Sequence, residues 1–354
     1  MQADRHPLMD YDALAEGLRT ESGGHVDALD YAALERDPHP LVQLLRKTAG
    51  RDAALALMGF LRRHQYDAIF TNGENVAIPL ALLFKLTRRR PGHVTIGHRL
   101  STGKKRLFFK HLHVHRQIDT IFVYAKTQRE YAQEHLGIPG TKLALIAFHA
   151  DQRFYRPMPE AAIEANKICS AGLEWRDYPT LIAAVTDLPE LTVKLAAASP
   201  WSKHTDETAS RVLPPNVSAR RYEYSALRDL YATSNFVVVP LYENDFQAGV
   251  TTLLEAMAMG KPVIVTQTTG QADVVNAEET GLTVAPGDVA GLRQAILRLQ
   301  KDPGLRERLG RNALQWVQEN ATLTLWVGHM VQALHIAAAG APNTDVPLSD
   351  VLQH

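Results

Sequence analysis

The stretch Tyr242-Glu-Asn-Asp-Phe-Gln-Ala-Gly-Val-Thr-Thr-Leu-Leu-Glu-Ala-Met-Ala-Met-Gly-Lys-Pro-Val-Ile-Val265 holds the densest set of residues that could do chemistry. A strand is expected to end near Pro240, a polar loop follows, and Gly249 leads into a helix expected to begin near Thr251. Gly260 and Pro262 then stop that helix before the next strand. A glycine at the mouth of a helix lets a phosphate come close to the backbone. The free N–H groups of Val250, Thr251 and Thr252 would point at that anion, aided by the helix dipole. Glu255 sits one turn further in, where a carboxylate can accept hydrogen bonds from the two hydroxyls of a ribose. The same pattern also suits a plain strand–loop–helix unit with a solvated Glu255, and these local features leave both readings open.

Two further sets are expected at strand ends. Asn72-Gly-Glu-Asn75 leaves one strand, which makes Asn72, Glu74 and Asn75 candidates for contact with an acceptor molecule. His98 closes Thr95-Ile-Gly-His98 at the end of another. His111, His113 and His115 have strand-like spacing but fall in a stretch read as helical, with no carboxylate or cysteine nearby to complete a metal site. Lys104-Lys-Arg-Leu-Phe-Phe-Lys110 mixes basic and aromatic residues; it reads as a half-buried helix with a basic outer face, or as a contact for anionic lipid or a phosphorylated acceptor.

The elements that must position these residues alternate between short apolar runs and helical stretches, as in parallel sheets with crossover helices. Strands are expected at Ala68 to Thr71, His93 to Gly97, Thr120 to Tyr124 and Leu143 to Phe148. A second series lies at Lys167 to Ala171, Thr192 to Ala197, Phe236 to Pro240 and Val263 to Thr266. Helices are expected at Ala53 to Arg63, Ala77 to Arg88, Tyr178 to Val185, Ala226 to Thr233, Thr251 to Met259 and Val289 to Gln300. Phe154 to Ala165, with Pro157 and Pro159, reads as the linker between two halves. Two doubly wound domains facing each other would form a central cleft at the carboxyl ends of their strands.

Composition fits this α/β organisation. The chain has 354 residues, enough for two domains, and 45% of them are apolar. Lys plus Arg and Asp plus Glu both total 38, so no global field favours nucleic acid or an anionic membrane. Met1 to Arg5 lacks the apolar core of a signal peptide, and the run Val76 to Phe84 is too short for a bilayer span. Cys169 is the single cysteine and lies in an apolar run, which excludes an internal disulfide and suits a buried thiol. A cytoplasmic protein is the expectation.

Taken in order, these motifs resemble glycosyltransferase family 4, a retaining family with the two-domain GT-B fold. Its donor-side signature is a Glu, seven residues, then Glu-Ala-Met-Ala-x-Gly-x-Pro-Val. The present chain has Glu255-Ala-Met-Ala-Met-Gly-Lys-Pro-Val263, and the likeness continues through Thr269-Gly270-Gln-Ala-Asp-Val-Val275 and Thr280-Gly281-Leu to Pro286-Gly287-Asp288. Upstream, Leu227 to Val239 and Gly172 to Val185 are similar to further family segments, so the likeness covers the C-terminal half. It implies an N-terminal acceptor-side Rossmann-like domain (1–155) and a C-terminal donor-binding one (156–318). A C-terminal helix and tail (319–354) would pack back toward the first domain.

The resemblance also assigns roles. Glu255 takes that of the family's ribose-binding Glu. Gly172, Ala248, Gly249, Val250 and Thr251 would line the donor. Arg176 matches the position of the Lys that meets the donor diphosphate, with Trp175 and Tyr178 beside it as a cleft wall. No basic residue matches the family's Arg, so Lys203, and less directly Arg220 or Arg221, is the candidate to supply that charge. His98 resembles the histidine delivered to the donor sugar. The first Glu of the signature falls at Gln247, whose amide can bond sugar hydroxyls but cannot serve as a carboxylate nucleophile; Glu243 and Asp245 are near. Ile146 to Pro157 resembles the hinge, with Phe148 and His149 in place of the usual Asn-Gly. The family's opening strand and glycine-rich loop have no counterpart in Met1 to Leu18, and Gly23-Gly24 are expected to precede a strand.

The function implied is transfer of a sugar from a nucleotide-sugar donor to an acceptor hydroxyl by front-face attack, with no cofactor and no metal. The acceptor could be a sugar, a lipid-linked sugar or a small molecule, and peripheral membrane contact is conceivable. Two other readings stay open. A nucleotide-sugar epimerase on a related fold would need acid–base residues around the sugar, for which His98 and Glu74 are placed. A nucleotide-sugar-binding protein of attenuated activity would suit Gln247 and the missing first loop.

Overall fold

In the computed structural model, residues 5–197, 213–271 and 273–340 are described. The chain divides into two compact units, one of Asp10–Ile146 with residues from Val327 on, the other of Met1–Met9 with Ala147–Trp326.

The first unit opens with four helices, α1 (Asp10–Ser22), α2 (Tyr31–Arg36), α3 (Pro40–Thr48) and α4 (Arg51–Leu61). Leu34, Val42, Ala54 and Met58 close α2, α3 and α4 into a small core of their own. No strand lies among the described residues before β1, and Gly23-Gly24 lie between α1 and α2, not before a strand. There follow β1 (Ala68–Thr71), α5 (Glu74–Phe84), β2 (Gly92–Ile96), α6 (Gly103–Arg106), β3 (Thr120–Val123), α7 (Lys126–Glu134) and β4 (Leu143–Leu145). The four strands are parallel and follow chain order, β1-β2-β3-β4. Every residue of β2 and β3 is buried, as expected for strands covered on both faces.

The second unit contains β5 (Lys167–Ala171), α8 (Tyr178–Val185), β6 (Thr192–Ala196), β7 (Val217–Arg220), α9 (Tyr224–Thr233), β8 (Val237–Val239), α10 (Val250–Ala258), β9 (Val263–Thr266), β10 (Leu282–Val284), α11 (Val289–Lys301) and α12 (Pro303–Asn320). Its six parallel strands run β10-β9-β8-β5-β6-β7. The order reverses between β5 and β8, so the loops leaving these two strands meet at a topological switch point, where open α/β sheets bind ligands. One core packs α9 and α10 against β5, β8 and β9; another packs α8 and α11 against β5 and β6. The expected linker is no free tether: Phe154 and Tyr155 are buried in the first of these cores, and Glu164 N–H donates to the Thr233 carbonyl at 2.9 Å. A last helix, α13 (Leu323–Ala338), begins in this unit and continues from Val327 in the other. Its Ala337 backbone lies only 2.5 Å from where a Cβ on Gly92 would be, so the start of β2 accepts no side chain. Among the described residues, no helix is long and apolar enough to cross a membrane.

Candidate functional site: a buried arginine at the switch point

The turn leaving β5 is tied directly to the loop leaving β8. Tyr242 N–H donates to the Trp175 carbonyl at 3.1 Å and Asp177 N–H to the Pro240 carbonyl at 3.0 Å. Asp177 also caps α8 by accepting from the Thr180 N–H at 3.1 Å. Trp175 takes a left-handed φ of 58°, rare for an aromatic residue, and its ring meets Phe246 edge-on at 5.9 Å between centroids. Tyr178 does not form a cleft wall as expected: it is buried, with its hydroxyl donating to the Gly172 carbonyl.

This doubly anchored turn projects Arg176 inward. Its Nε donates to the Ala171 carbonyl at 2.7 Å, one terminal nitrogen to the Glu174 carbonyl at 2.9 Å, and the other to Thr252 Oγ1 at 3.2 Å. The guanidinium lies between two glycines. A Cβ on Gly172 would stand 2.4 Å from one terminal nitrogen, and a Cβ on Gly249 would stand 3.1 Å from the other. Both glycines have positive φ, 95° and 78°, so side chains are disfavoured by strain as well as by contact. Gly249 is the residue immediately before α10. The cation therefore sits at the amino end of that helix, where unpaired N–H groups and the helix dipole already favour negative charge.

Arg176 is 7% exposed, and among the described residues no carboxylate pairs with it. Burial pulls its pKa down, with the more distant charges of Tyr178, Tyr231, Glu174 and Glu255 opposing. A buried cation held only by carbonyls and a hydroxyl is electrostatically expensive, and an anion bound beside it would offset that desolvation.

One turn along α10, Glu255 is also buried. Its Oε2 accepts from the Tyr231 hydroxyl at 2.9 Å, and Tyr155 approaches the same carboxyl without the geometry of a hydrogen bond. Burial raises the Glu255 pKa to about 7, opposed by the tyrosine hydroxyls and the charge of Arg176. The tyrosines titrate far above neutrality, burial being the main cause. Tyr231 holds one carboxylate oxygen; the other is open to further donors. Nothing in the sequence singles out Tyr231 within Leu227 to Val239, nor Tyr155 or the Thr252 side chain.

The polar loop before α10 is held from the far side by residues after β9. Thr269 N–H donates to Glu243 at 2.9 Å and Gly270 N–H to the Asn244 carbonyl at 3.0 Å. A Cβ on Gly270 would lie 2.0 Å from the Phe246 carbonyl oxygen, so only glycine admits this approach. Gln271 Nε2 donates to the Ala248 carbonyl. Gln247, Ala248 and Val250 are buried in this frame and Thr251 is exposed at the helix entrance. Lys203 lies outside the described residues. Arg220 stacks on the Tyr222 ring at 4.3 Å and Arg221 is exposed.

In the other unit, the ends of β1 and β2 bring Asn72, Glu74 and His98 together. His98 Nε2 lies 3.1 Å from Asn72 Oδ1, and burial lowers the pKa of its ring. Glu74 accepts from the backbone N–H groups of His98 and Arg99, both at 3.0 Å, and pairs with Lys105. It is a buried brace for the turn carrying His98, with its oxygens already occupied. Its carboxyl is held below the ordinary range: Lys105 and the backbone donors outweigh burial, the largest single influence, which acts the other way. Asn72 and Asn75 are exposed, Asn72 also bonding the Tyr11 hydroxyl. His111, His113 and His115 form no continuous helix: a single wide turn, Leu107–His111, precedes His113 at a left-handed φ of 47°.

Comparison with known proteins bears on this arrangement. Residues 169–302 match the family model described as glycosyl transferases group 1. The capsular polysaccharide biosynthesis glycosyltransferase CapM of Staphylococcus aureus is 35% identical over 88 residues, 25% of this chain and 22% of that one. The D-inositol 3-phosphate glycosyltransferase of Kribbella flavida is 35% identical over 92 residues, 26% and 21% of the two chains. Sucrose-phosphate synthase of Zea mays is 37% identical over 78 residues, 22% of this chain and 7% of that one. The matched segments thus span less than a quarter of these relatives' own length. Structural likeness extends much further. Sucrose-phosphate synthase from Thermosynechococcus elongatus superposes with a TM-score of 0.70 at 20% identity, covering 93% of this chain and 92% of that one. Anabaena HepE, in complex with UDP and glucose, gives 0.69 at 16% identity, over 92% and 95%. Residues 169–302 thus match the glycosyl transferases group 1 family, and the fold of the chain is that of the GT-B glycosyltransferases.

Proposed function

We propose that this protein is a retaining glycosyltransferase that moves a hexosyl group from a nucleoside-diphosphate sugar to an acceptor hydroxyl. The observation that carries the reading is the buried Arg176 guanidinium, without a carboxylate partner among the described residues, between Gly172 and Gly249 at the amino end of α10. The donor diphosphate would take its place against Arg176 and the N–H groups of Thr251 and Thr252. As the glycosidic bond breaks, negative charge grows on the leaving diphosphate, and a preorganised cation and helix terminus stabilise it. The ribose hydroxyls would donate to the open oxygen of Glu255. Gln247 would bond a sugar hydroxyl, orienting the anomeric carbon without attacking it. The acceptor then attacks from the face the diphosphate leaves and hands its proton to the departing oxygen, a route that needs no nucleophile from the protein and no metal. HepE, whose structures hold UDP, UDP with glucose, and UDP-glucose, supports a nucleoside-diphosphate donor class.

Titrating nucleosides, nucleoside diphosphates and nucleoside-diphosphate sugars into the protein tests this. One base series should bind, with the diphosphate strengthening binding over the nucleoside. Equal affinity for nucleoside and diphosphate would remove the basis for the reading.

A further inference from the structure

From Asn75 to Ile118 the sequence contains 10 Lys and Arg and no Asp or Glu, in a chain whose formal net charge is 0. This concentration lies wholly in the first unit, apart from the residues of the proposed donor site. Some of the cations serve the fold: Arg90 pairs with Asp119 and Lys105 with Glu74. Lys104, Arg106 and Lys110 do not; all three are exposed on α6 and the turn that continues it, Leu107–His111. Phe109, 1% exposed, anchors that turn in the core with Val114 and Ile118, which turns its neighbours outward. Leu107 is 54% exposed and Leu112 38%, so apolar side chains are interleaved with the cations. Lys85 donates to the Leu112 carbonyl at 2.7 Å, joining the end of α5 to this turn, and the next residue, Leu86, is 78% exposed.

We propose that this face is a docking surface for an anionic lipid bilayer, with Lys104, Arg106 and Lys110 meeting headgroup phosphates and Leu107 and Leu112 entering the acyl boundary. Two features select a bilayer over a soluble anion or a nucleic acid. Exposed leucines gain nothing from phosphate in water but gain from an acyl layer, and short basic helices with apolar faces lie in that interface. Neither phenylalanine of the turn offers an exposed platform for stacking bases, since Phe109 is buried and Phe108 half-buried. The inference does not depend on the catalytic reading.

The test is sedimentation of the full chain with vesicles of phosphatidylglycerol and phosphatidylcholine in equal parts, against vesicles of phosphatidylcholine alone. The protein should pellet with the first and not the second, and release on raising the salt. Each of Lys104→Ala, Arg106→Ala and Lys110→Ala should lower partitioning by roughly five-fold. The pair Leu107→Ser, Leu112→Ser should lower it by roughly ten-fold. Unchanged thermal melting establishes that these surface variants are folded. Equal partitioning to both vesicle types, wild-type partitioning by the leucine pair, or displacement from vesicles by inorganic phosphate at equal ionic strength would each overturn the proposal. So would failure to sediment while a single-stranded oligonucleotide binds.

Discussion

The guanidinium of Arg176 packs against the α-carbon of Gly249, so closely that a methyl group on that glycine would stand 3.1 Å from a terminal nitrogen. One residue ends the turn after β5, the other opens α10, and 73 positions of sequence separate them (249 minus 176). Their meeting is a consequence of strand order: β5 and β8 are neighbours at the reversal, so their loops share one space.

Arg176→Ala should weaken nucleoside diphosphate binding and slow turnover, with little effect on binding of the nucleoside alone. Loss of a contact to a leaving group raises the barrier by about 3 kcal/mol, roughly a hundred-fold in kcat. Calorimetry with both ligands, beside single-turnover kinetics, separates the two effects. A loss shared equally by nucleoside and diphosphate would place Arg176 away from the phosphates.

Gly249→Ala should act on the same contact from the other side. The new methyl meets Arg176 and also Val239, 2.8 Å away, at a φ of 78° that alanine disfavours. Strain of this kind costs about 1–3 kcal/mol. Diphosphate affinity should fall by more than melting temperature alone explains, because the displaced guanidinium is the proposed ligand.

With Glu255 as the proposed ribose acceptor, nucleotide binding should depend on pH. The folded pKa of Glu255, about 7, lies above the ordinary 4.5, so the folded protein holds a proton that the unfolded chain gives up. Stability from this group is therefore full below about 4.5 and is lost as pH rises toward 7, by about 3 kcal/mol in all. Ribose hydroxyls need the ionised carboxylate as acceptor, so affinity should climb through pH 7 and level above it. Glu255→Gln should bind more weakly at high pH and flatten the profile. A wild-type profile that is flat from pH 5.5 to 8.5 (roughly 1.5 units either side of the value for a single titrating group) would contradict the assignment.

Gln247 stands where the signature of glycosyltransferase family 4, which this segment resembles, has Glu. With the amide only orienting sugar hydroxyls, Gln247→Glu should retain or raise transfer, and Gln247→Ala should lower kcat by about ten-fold while leaving nucleoside diphosphate affinity intact. Abolition of turnover by Gln247→Glu would mean that the neutral amide itself is required.

Much of the fold could be read from the sequence because its buried strands are unbroken apolar runs. Ala68–Thr71, Lys167–Ala171 and Val263–Thr266 have the expected bounds. The two strands that were not anticipated, Val217–Arg220 and Leu282–Val284, are the outer strands of the six-stranded sheet. Val-Ser-Ala-Arg alternates buried and exposed positions, so it reads as polar chain, and Leu-Thr-Val is too short to stand out. In the second unit, the residues around the buried Arg176 that stand out in the sequence are the glycines and Glu255, which belong to one motif. Tyr231 and Tyr155 do not stand out, because what matters is their burial against one carboxyl, a property of packing. Glu74 misled for the opposite reason: a carboxylate at a strand end looks available until Lys105 and two backbone donors are seen on it.

Incubating the protein with a panel of nucleoside-diphosphate sugars and candidate acceptors, and following nucleoside diphosphate release with product stereochemistry by NMR, tests the central claim most directly. Retaining transfer predicts acceptor-dependent release from a donor that the protein binds, with the donor's anomeric configuration kept in the glycoside. A bound donor that is returned intact with every acceptor, or converted to an epimeric nucleotide sugar with no release, would contradict it.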